Sequence, residues 1–453
     1  MEGLEISIVK LSESVSSTNE TRWDSEYYLK DYIQNEKIIK RKNCYVFSDL
    51  CNFVKKGIFD LSPENYIDNG VPFIRTSEIK EMTGNFSTTV FLDELVHKEN
   101  LKTELLPNDL VFTKIGAYIG DVAMLPAIYE KYNFSQNVAG ASLKDKSLGA
   151  YLVSFFASKY GKKQIIRSSM LSGQGKLELS EIRNYKIPIP SDSIRNRLSK
   201  SFSDSQSKLE ESKSLYSQAE DLLLGELGLK DWQPKNTLHT TKKFSDFAQS
   251  GRLDAEYYQP KYDEIEKELS KKNTLEISKV GQICDKNFTP LDNVEYKYIE
   301  LADIGAYGEI TGCTMAIGSE LPTRARRIVH KGDVLISSIE GSLQSCAIVP
   351  KEFDNALCST GFYVMTPNKI NAETLLILLK STVIQLLLKK GCSGTILTNI
   401  SKDEFLKIKL PILPEQIQTK IASLIQQSFE CKAQSKQLLE DAKRMVEAEI
   451  EKN

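Results

Sequence analysis

The chain says the same thing twice. RWDSEYY at 22–28 and RLDAEYY at 252–258 agree at five of seven positions. Other segments follow in the same order: FIRTSEI (73–79) with YIELADI (298–304), and LPNDLVFTKIG (106–116) with VHKGDVLISSIEG (329–341), which sets Asp109 against Asp333. YLVSFFAS (151–158) then answers TLLILLKS (374–381), and KIPIP (186–190) answers KLPILP (409–414). The offset drifts only from about 230 to about 222, which small loop insertions explain. Five matches in one order define a tandem duplication. The period is far longer than the roughly 20–50 residues of a solenoid repeat, so two whole domains are duplicated.

Each copy has one layout. A short helix follows RxDxEYY, with Asp24 and Asp254 suited to cap it and the paired tyrosines to pack on the domain. A β-rich stretch comes next, broken by turn signals such as DNG and KGD. An apolar helix (about 148–166 and 371–390) leads into a Gly/Ser loop, and an Ile-Pro or Leu-Pro pair closes the globular part. The copies divide as 1–190 for the first domain, with its opening helix near 24–40, 191–228 for a long helix, 229–251 for a linker, 252–413 for the second domain and 414–453 for a C-terminal long helix.

The two long helices carry small and apolar residues at alternating 4-3 spacing, the seam of a coiled coil. The first seam includes Phe202, Leu209, Tyr216 and Leu223; the second includes Ile417, Ile421, Leu424, Leu438 and Met445. Ser, Ala and Cys at other seam positions permit close approach. A pseudo-twofold axis relating the copies makes the helices antiparallel, and 30–35 residues span about 45–50 Å. The expected fold is therefore α+β: two β-rich domains in pseudo-twofold tandem repeat, separated by two long antiparallel coiled-coil helices.

Composition excludes several functions. The formal net charge of −2 argues against a chain held to nucleic acid by overall charge, though a local basic face stays open. Eight cysteines without C-x-x-C spacing and only three histidines predict no structural zinc and reduced thiols, as in the cytoplasm. The N-terminus shows no basic segment leading into an apolar core, so no signal peptide is expected. The run 375–388 is too short to cross a membrane and contains Lys380, so a buried helix is expected. SGQGKL (172–177) departs from a phosphate loop because Met170 stands where glycine is needed. The chain also lacks the Asn-Pro-Pro-aromatic tetrad of amino-methyltransferases. No catalytic residue, metal ligand or cofactor site is expected.

The doubled RxDxEYY, the β-rich regions, the IPxP and LPxxP junctions and the two long helices together resemble the specificity (S) subunits of type I restriction–modification systems. LPILPEQIQTKI carries the resemblance furthest, with Gln416 after the proline pair; IPIPSDSIRNRL in the first copy lacks that Gln. The resemblance covers nearly the whole chain. It implies that each β-rich region is a target recognition domain reading half of a bipartite double-stranded DNA site. The helices would be the conserved spacer on which two modification (methyltransferase) subunits dock. Those partners would carry S-adenosylmethionine, and a restriction (translocase/nuclease) subunit would use ATP and Mg. The S subunit itself would be a non-enzymatic, cytoplasmic DNA-binding component of host defence.

On that reading the DNA contacts fall on polar loop residues. In the first domain these are Arg75, Thr76, Ser77, Lys114, Tyr118, Ser135, Gln136 and Asn137, with Arg167, Gln174 and Lys176 flanking the Gly/Ser loop. In the second they are Arg324, Arg326, Arg327, Ser337, Ser338, Ser342, Gln344, Ser359, Thr360, Ser393 and Thr395. The arginine cluster is the strongest candidate, since three cations in four residues are costly unless an anion faces them. The competing reading is a duplicated coiled-coil scaffold joining two protein partners without DNA. A fused restriction enzyme is disfavoured by the missing motifs.

Overall fold

The computed structural model describes residues 25–84, 89–116, 118–169, 175–234, 237, 239–393 and 398–452. The chain forms two compact units, Met1–Lys208 with Gln434–Asn453, and Leu209–Ala433. Each unit thus holds one β-rich domain and a stretch of both long helices.

In the first unit a single 3-10 turn, Ser25–Tyr28, precedes the helix Lys30–Lys40. Cys44–Val46 then pairs antiparallel with Lys186–Pro188, so the domain's beginning and end are tied together. Two four-stranded sheets lie between these strands in sequence. One runs Cys51–Lys56, Val138–Leu143, Leu110–Thr113, Val122–Met124, antiparallel throughout. The other runs Asn133–Phe134, Val71–Ile74, Val90–Leu92, Tyr66–Ile67, and its first pair is parallel.

The second unit repeats this plan. The turn Glu256–Tyr258 and helix Pro260–Ser270 lead to Thr274–Glu276, paired with Lys409–Pro411. One sheet runs Gly281–Ile283, Phe362–Pro367, Val334–Ser337, Cys346–Ile348. The other runs Thr314–Ile317, Glu295–Ile299, Leu357–Ser359, Ala325–Ile328, and here the parallel pair, Glu295–Ile299 with Leu357–Ser359, is central.

Several expectations need correction. Asp254 does not cap the helix Pro260–Ser270; its carboxylate bonds the Tyr257 N–H in the 3-10 turn before it. It takes both Nε and Nη2 hydrogen bonds from Arg252 at 2.8 and 2.6 Å, while Pro260 opens the helix after Gln259. Its counterpart Asp24, with Arg22 and Trp23, lies outside the described residues. The apolar helix of each copy is two helices. Gly149–Ala157 breaks at Ser158 before Lys159–Ser169, and Ala372–Lys380 breaks at Ser381 before Thr382–Gly391. The serine hydroxyls stabilise the breaks by accepting from Gly161 N–H and Ile384 N–H at 3.4 Å each. Gly161 is needed there, because a Cβ would sit 2.1 Å from the Phe155 carbonyl oxygen. The linker carries structure of its own: Leu229 is buried in the second unit's core, Trp232 packs against it, and Phe244–Ser250 is a helix ended by left-handed Gly251.

The long helices span Asp192–Leu227 and Glu415–Glu451. In the first unit Leu198 and Phe202 share a core with Ala442 and Val446, and Ser205 Oγ meets Ser435 Oγ at 2.8 Å. In the second, Tyr216, Ala219 and Leu223 share a core with Ile421 and Ile425, and Ser212 Oγ meets Ser428 Oγ at 3.0 Å. The pairing is antiparallel in each unit. Burying each large apolar side chain contributes roughly 1.5–3 kcal/mol, and the serine pairs satisfy hydroxyls that the small seam residues leave without water. The buried seam departs from strict 4-3 spacing. Ile425 and Val446 are fully buried, whereas Leu209, Ile417, Leu424, Leu438 and Met445 are half-buried.

Candidate nucleic-acid interface

The two sheets of the first domain bring distant loops to one end. Val71–Ile74 and Asn133–Phe134 are parallel, so both release their following residues on the same side. Ser135 N–H donates to the Ile74 carbonyl at 2.9 Å, which sets Arg75, Thr76 and Ser77 beside Ser135, Gln136 and Asn137. Leu110–Thr113 is antiparallel to Val138–Leu143, so the end of one meets the start of the other. Lys114 N–H therefore donates to Asn137 O at 3.0 Å, and Leu177 N–H donates to Lys114 O at 3.0 Å, which brings Lys176 alongside.

Local bonds fix these loops. The Glu78 carboxylate, fully buried, accepts from Arg75 N–H (2.7 Å), Arg75 Nη2 (2.7 Å) and Ser77 Oγ (2.9 Å). That hydrogen bonding holds the Arg75 guanidinium above its usual pKa. Thr76, Ser135 and Gln136 are half-buried, and Ser77 and Asn137 are exposed. Tyr118 is 57% exposed, with the Lys80 ammonium 4.8 Å from its ring centre. Phe59, 69% exposed, carries the Lys56 ammonium 5.1 Å from its ring. Such exposed rings under cations suit cation–π pairing and stacking.

Lys56, Phe59 and Lys80 were not singled out from sequence. Lys56 ends a strand, and only the register Lys56↔Ala139 shows it near Asn137 and Lys114. Lys114 itself is only 6% exposed. Burial pushes its amine below the usual lysine range; Glu178 opposes that shift, while Lys176 and Lys56 add to it. Lys176 is paired to Glu178 at 2.8 Å.

Arg167 has a different place. Its Nε donates to Tyr27 O (2.8 Å), its Nη1 pairs with Glu36 (2.9 Å), and its guanidinium lies 3.9 Å from the Tyr27 ring centre. The second domain repeats the arrangement: Lys390 pairs with Glu266 at 2.6 Å and lies 5.1 Å from the Tyr257 ring. These cations clamp the RxDxEYY segment to the domain, and their charge is already matched. Gln174 and Thr395 lie outside the described residues.

The second domain uses the same backbone bonds with other side chains. Ser338 N–H donates to Gly361 O (2.9 Å), and Ile400 N–H donates to Ser338 O (2.8 Å). Glu300 N–H donates to Asp303 (2.8 Å), the counterpart of Arg75 on Glu78. Thr360 is exposed at the end of the parallel strand, and its N–H donates to Arg324 O at 2.9 Å. Ser393 is exposed and pairs with Asn399. Ser337 is buried and bonds Ser342 at 2.8 Å, and Ser359 is 7% exposed, so these three shape the loops. Gln344 points its amide at Lys380 O and accepts the buried Lys380 ammonium on its own carbonyl at 2.7 Å.

The arginine cluster does not form one patch. Ala325–Ile328 is a strand with a bulge, and neighbouring side chains on a strand take opposite faces. Arg324 is 63% exposed and pairs with Glu300 at 3.4 Å. Arg326 bonds Thr323 O at 2.9 Å, and Arg327 turns inward to Phe362 O at 2.6 Å. The three side chains are separated: Arg324 is ion-paired, while Arg326 and Arg327 bond neutral oxygens.

Among the described residues, no three His, Cys, Asp or Glu stand together to hold a metal ion, and no helix is long and apolar enough to cross a membrane. The geometry of the described residues gives each domain a cluster of polar loops at the ends of its strands. The family model for the type I restriction modification DNA specificity domain matches residues 26–215 and 269–444. The chain belongs to that family and carries its domain twice.

No curated relative matches the chain. Among solved structures, the type I restriction–modification S subunit of M. genitalium aligns with TM-score 0.41 and 14% identity over 90% of this chain and 94% of that one. The HsdS subunit of Thermoanaerobacter tengcongensis aligns with TM-score 0.28 and 14% identity over 90% and 95%. A chain from a study of complex assembly and conformational transition of the type I R-M system aligns with TM-score 0.29 and 15% identity over 90% and 96%.

Proposed function

We propose that each β-rich domain reads one half of a bipartite double-stranded DNA site, while the helix pair sets the unread gap and docks two modification subunits. The observation that carries this reading is the doubled loop cluster. The backbone bonds at Lys114 and Ser338 repeat, whereas the side chains around them do not. Equal frames with unequal polar tips suit two different half-sites. In this reading S-adenosylmethionine and adenine methyl transfer belong to the modification subunits, which must take the base out of the stack. ATP with Mg belongs to a restriction subunit. This chain transfers no group and works in the cytoplasm. Its net charge of −2 fits partners that supply many phosphate contacts.

The test is co-expression with an adenine methyltransferase partner, followed by mapping of methylated adenines. A bipartite motif is expected; an active partner that gains no new methylation overturns the proposal. The spacer role has its own arm. One extra heptad in each long helix, between Ser205 and Ser212 and between Ser428 and Ser435, adds about 10 Å. The unread gap should lengthen by about three base pairs with both half-sites unchanged, since base pairs rise about 3.4 Å.

A further inference from the structure

The two loop clusters differ in charge at equivalent positions. In the first, Lys56 ends the edge strand opposite Ala139, Lys114 is fixed between Asn137 and Leu177, and Lys176 directly precedes Leu177. In the second, the same bonds and register put Asp285, Ser338 and Asn399 at those three places: Cys284 N–H donates to Val364 O, Ser338 N–H to Gly361 O, and Ile400 N–H to Ser338 O. Asp285 is moreover paired with Lys402. Arg75 likewise becomes Glu300.

The lysines of the first domain are short of counter-charge. Among the described residues Lys114 has no ion pair, Lys56 faces only the Phe59 ring, and Glu178 is the one carboxylate paired within the trio, to Lys176. Burying the Lys114 amine beside the exposed Lys56 and Lys176 is unfavourable without an anion, because desolvation and repulsion from the two neighbouring cations act in the same direction. A DNA phosphate supplies that anion, and the exposed Phe59 and Tyr118 rings flank the site with apolar surface.

We infer that Lys56, Lys114 and Lys176 form a phosphate-gripping site in the first domain which the second domain lacks, so that the first half-site carries the salt-sensitive part of DNA binding. This rests on the reading of the chain as a DNA-specificity subunit. Each lysine acts as a positioning contact: it neutralises backbone charge and leaves base choice to Asn137, Ser77 and their neighbours.

The full chain, assembled with its methyltransferase partner, is titrated with a duplex carrying the mapped target at several salt concentrations. Lys56→Gln, Lys114→Gln and Lys176→Gln should each weaken binding severalfold and make the log K against log salt slope shallower by about 1, with the methylated motif unchanged. Ser338→Ala should leave the slope alone, and Asn399→Lys should steepen it by about 1. Lys176 is 47% exposed, so its variant keeps the test valid even if Lys114→Gln misfolds. An unchanged slope in Lys176→Gln and the triple variant overturns the site, as does a changed letter in the motif. If the wild-type complex methylates no bipartite motif, the underlying reading fails instead.

Discussion

The two β-rich domains share one frame with different loop tips. Their all-antiparallel sheets have one strand order, and their other sheets share a parallel pair, at the edge in the first domain and central in the second. They differ at opposite edges of that second sheet. The first domain adds Tyr66–Ile67 outside Val90–Leu92, and the second adds Ala325–Ile328 outside Leu357–Ser359. Main-chain bonds at the loop ends persist, because they satisfy buried donors and acceptors whatever side chain stands there. The side chains projecting from those ends are free to change. That division lets one frame carry different side chains, Lys56, Lys114 and Lys176 in the first domain against Asp285, Ser338 and Asn399 in the second.

The buried aspartates give the largest handle on this comparison. Asp109 accepts from Leu106 N–H (2.8 Å) and Leu143 N–H (2.7 Å) and pairs with Lys146. Asp333 accepts from His330 N–H (2.8 Å) and Thr366 Oγ1 (2.6 Å), with no cation bonded to it among the described residues. Asp109→Ala should therefore lower stability by about 3 kcal/mol, because two backbone donors lose their buried acceptor and the part-exposed Lys146 loses its partner. Asp333→Ala should cost roughly 2 kcal/mol. Urea unfolding of the two variants checks this, and equal losses would break the distinction.

The clamps on RxDxEYY come next. Arg167→Ala removes a backbone bond, an ion pair and a ring contact together, and should cost about 2 kcal/mol. Lys390→Ala should cost about 1 kcal/mol or less, since its partner Glu266 is half exposed and Arg252 separately holds Cys392 O at 2.6 Å. Thermal denaturation resolves the two, and a shifted methylation motif in the Arg167 variant would return that residue to the DNA interface.

The smallest effect is acid dependence. Burial alone would raise the Glu36 carboxyl, but hydrogen bonds from Lys40 and Arg167 hold it below its ordinary value of 4.5. A lowered folded pKa contributes stability above the unfolded value and loses it as pH falls through the folded one. Stability should thus decline more gently below about pH 4 in Glu36→Gln than in the wild type, as followed by denaturant unfolding across pH.

How much was legible in the sequence varies along the chain. The duplication was readable because both copies keep residues in order. The helix seam was readable at Phe202, Tyr216, Leu223 and Ile421, all of them buried. It slipped by one residue at Leu424, where Ile425 is the buried residue, and at Met445, where Val446 is. A strict heptad drifts about 20° per repeat on a straight helix, so buried positions move to four-residue steps. The loop candidates were found as types but not as a cluster.

The sequence by itself determined the tandem frame, the helices and the family, since each is written in local pattern repeated at long range. Only the tertiary structure decided which polar side chains face outward together. Arg75, Lys114, Asn137 and Lys176 meet because one parallel strand pair and two backbone bonds join segments far apart in the chain. Arg167 and Arg327 leave the candidate set for the same reason. Their partners, Glu36 and the Phe362 carbonyl, stand 131 and 35 residues away, and no local pattern announces a guanidinium that is already hydrogen-bonded.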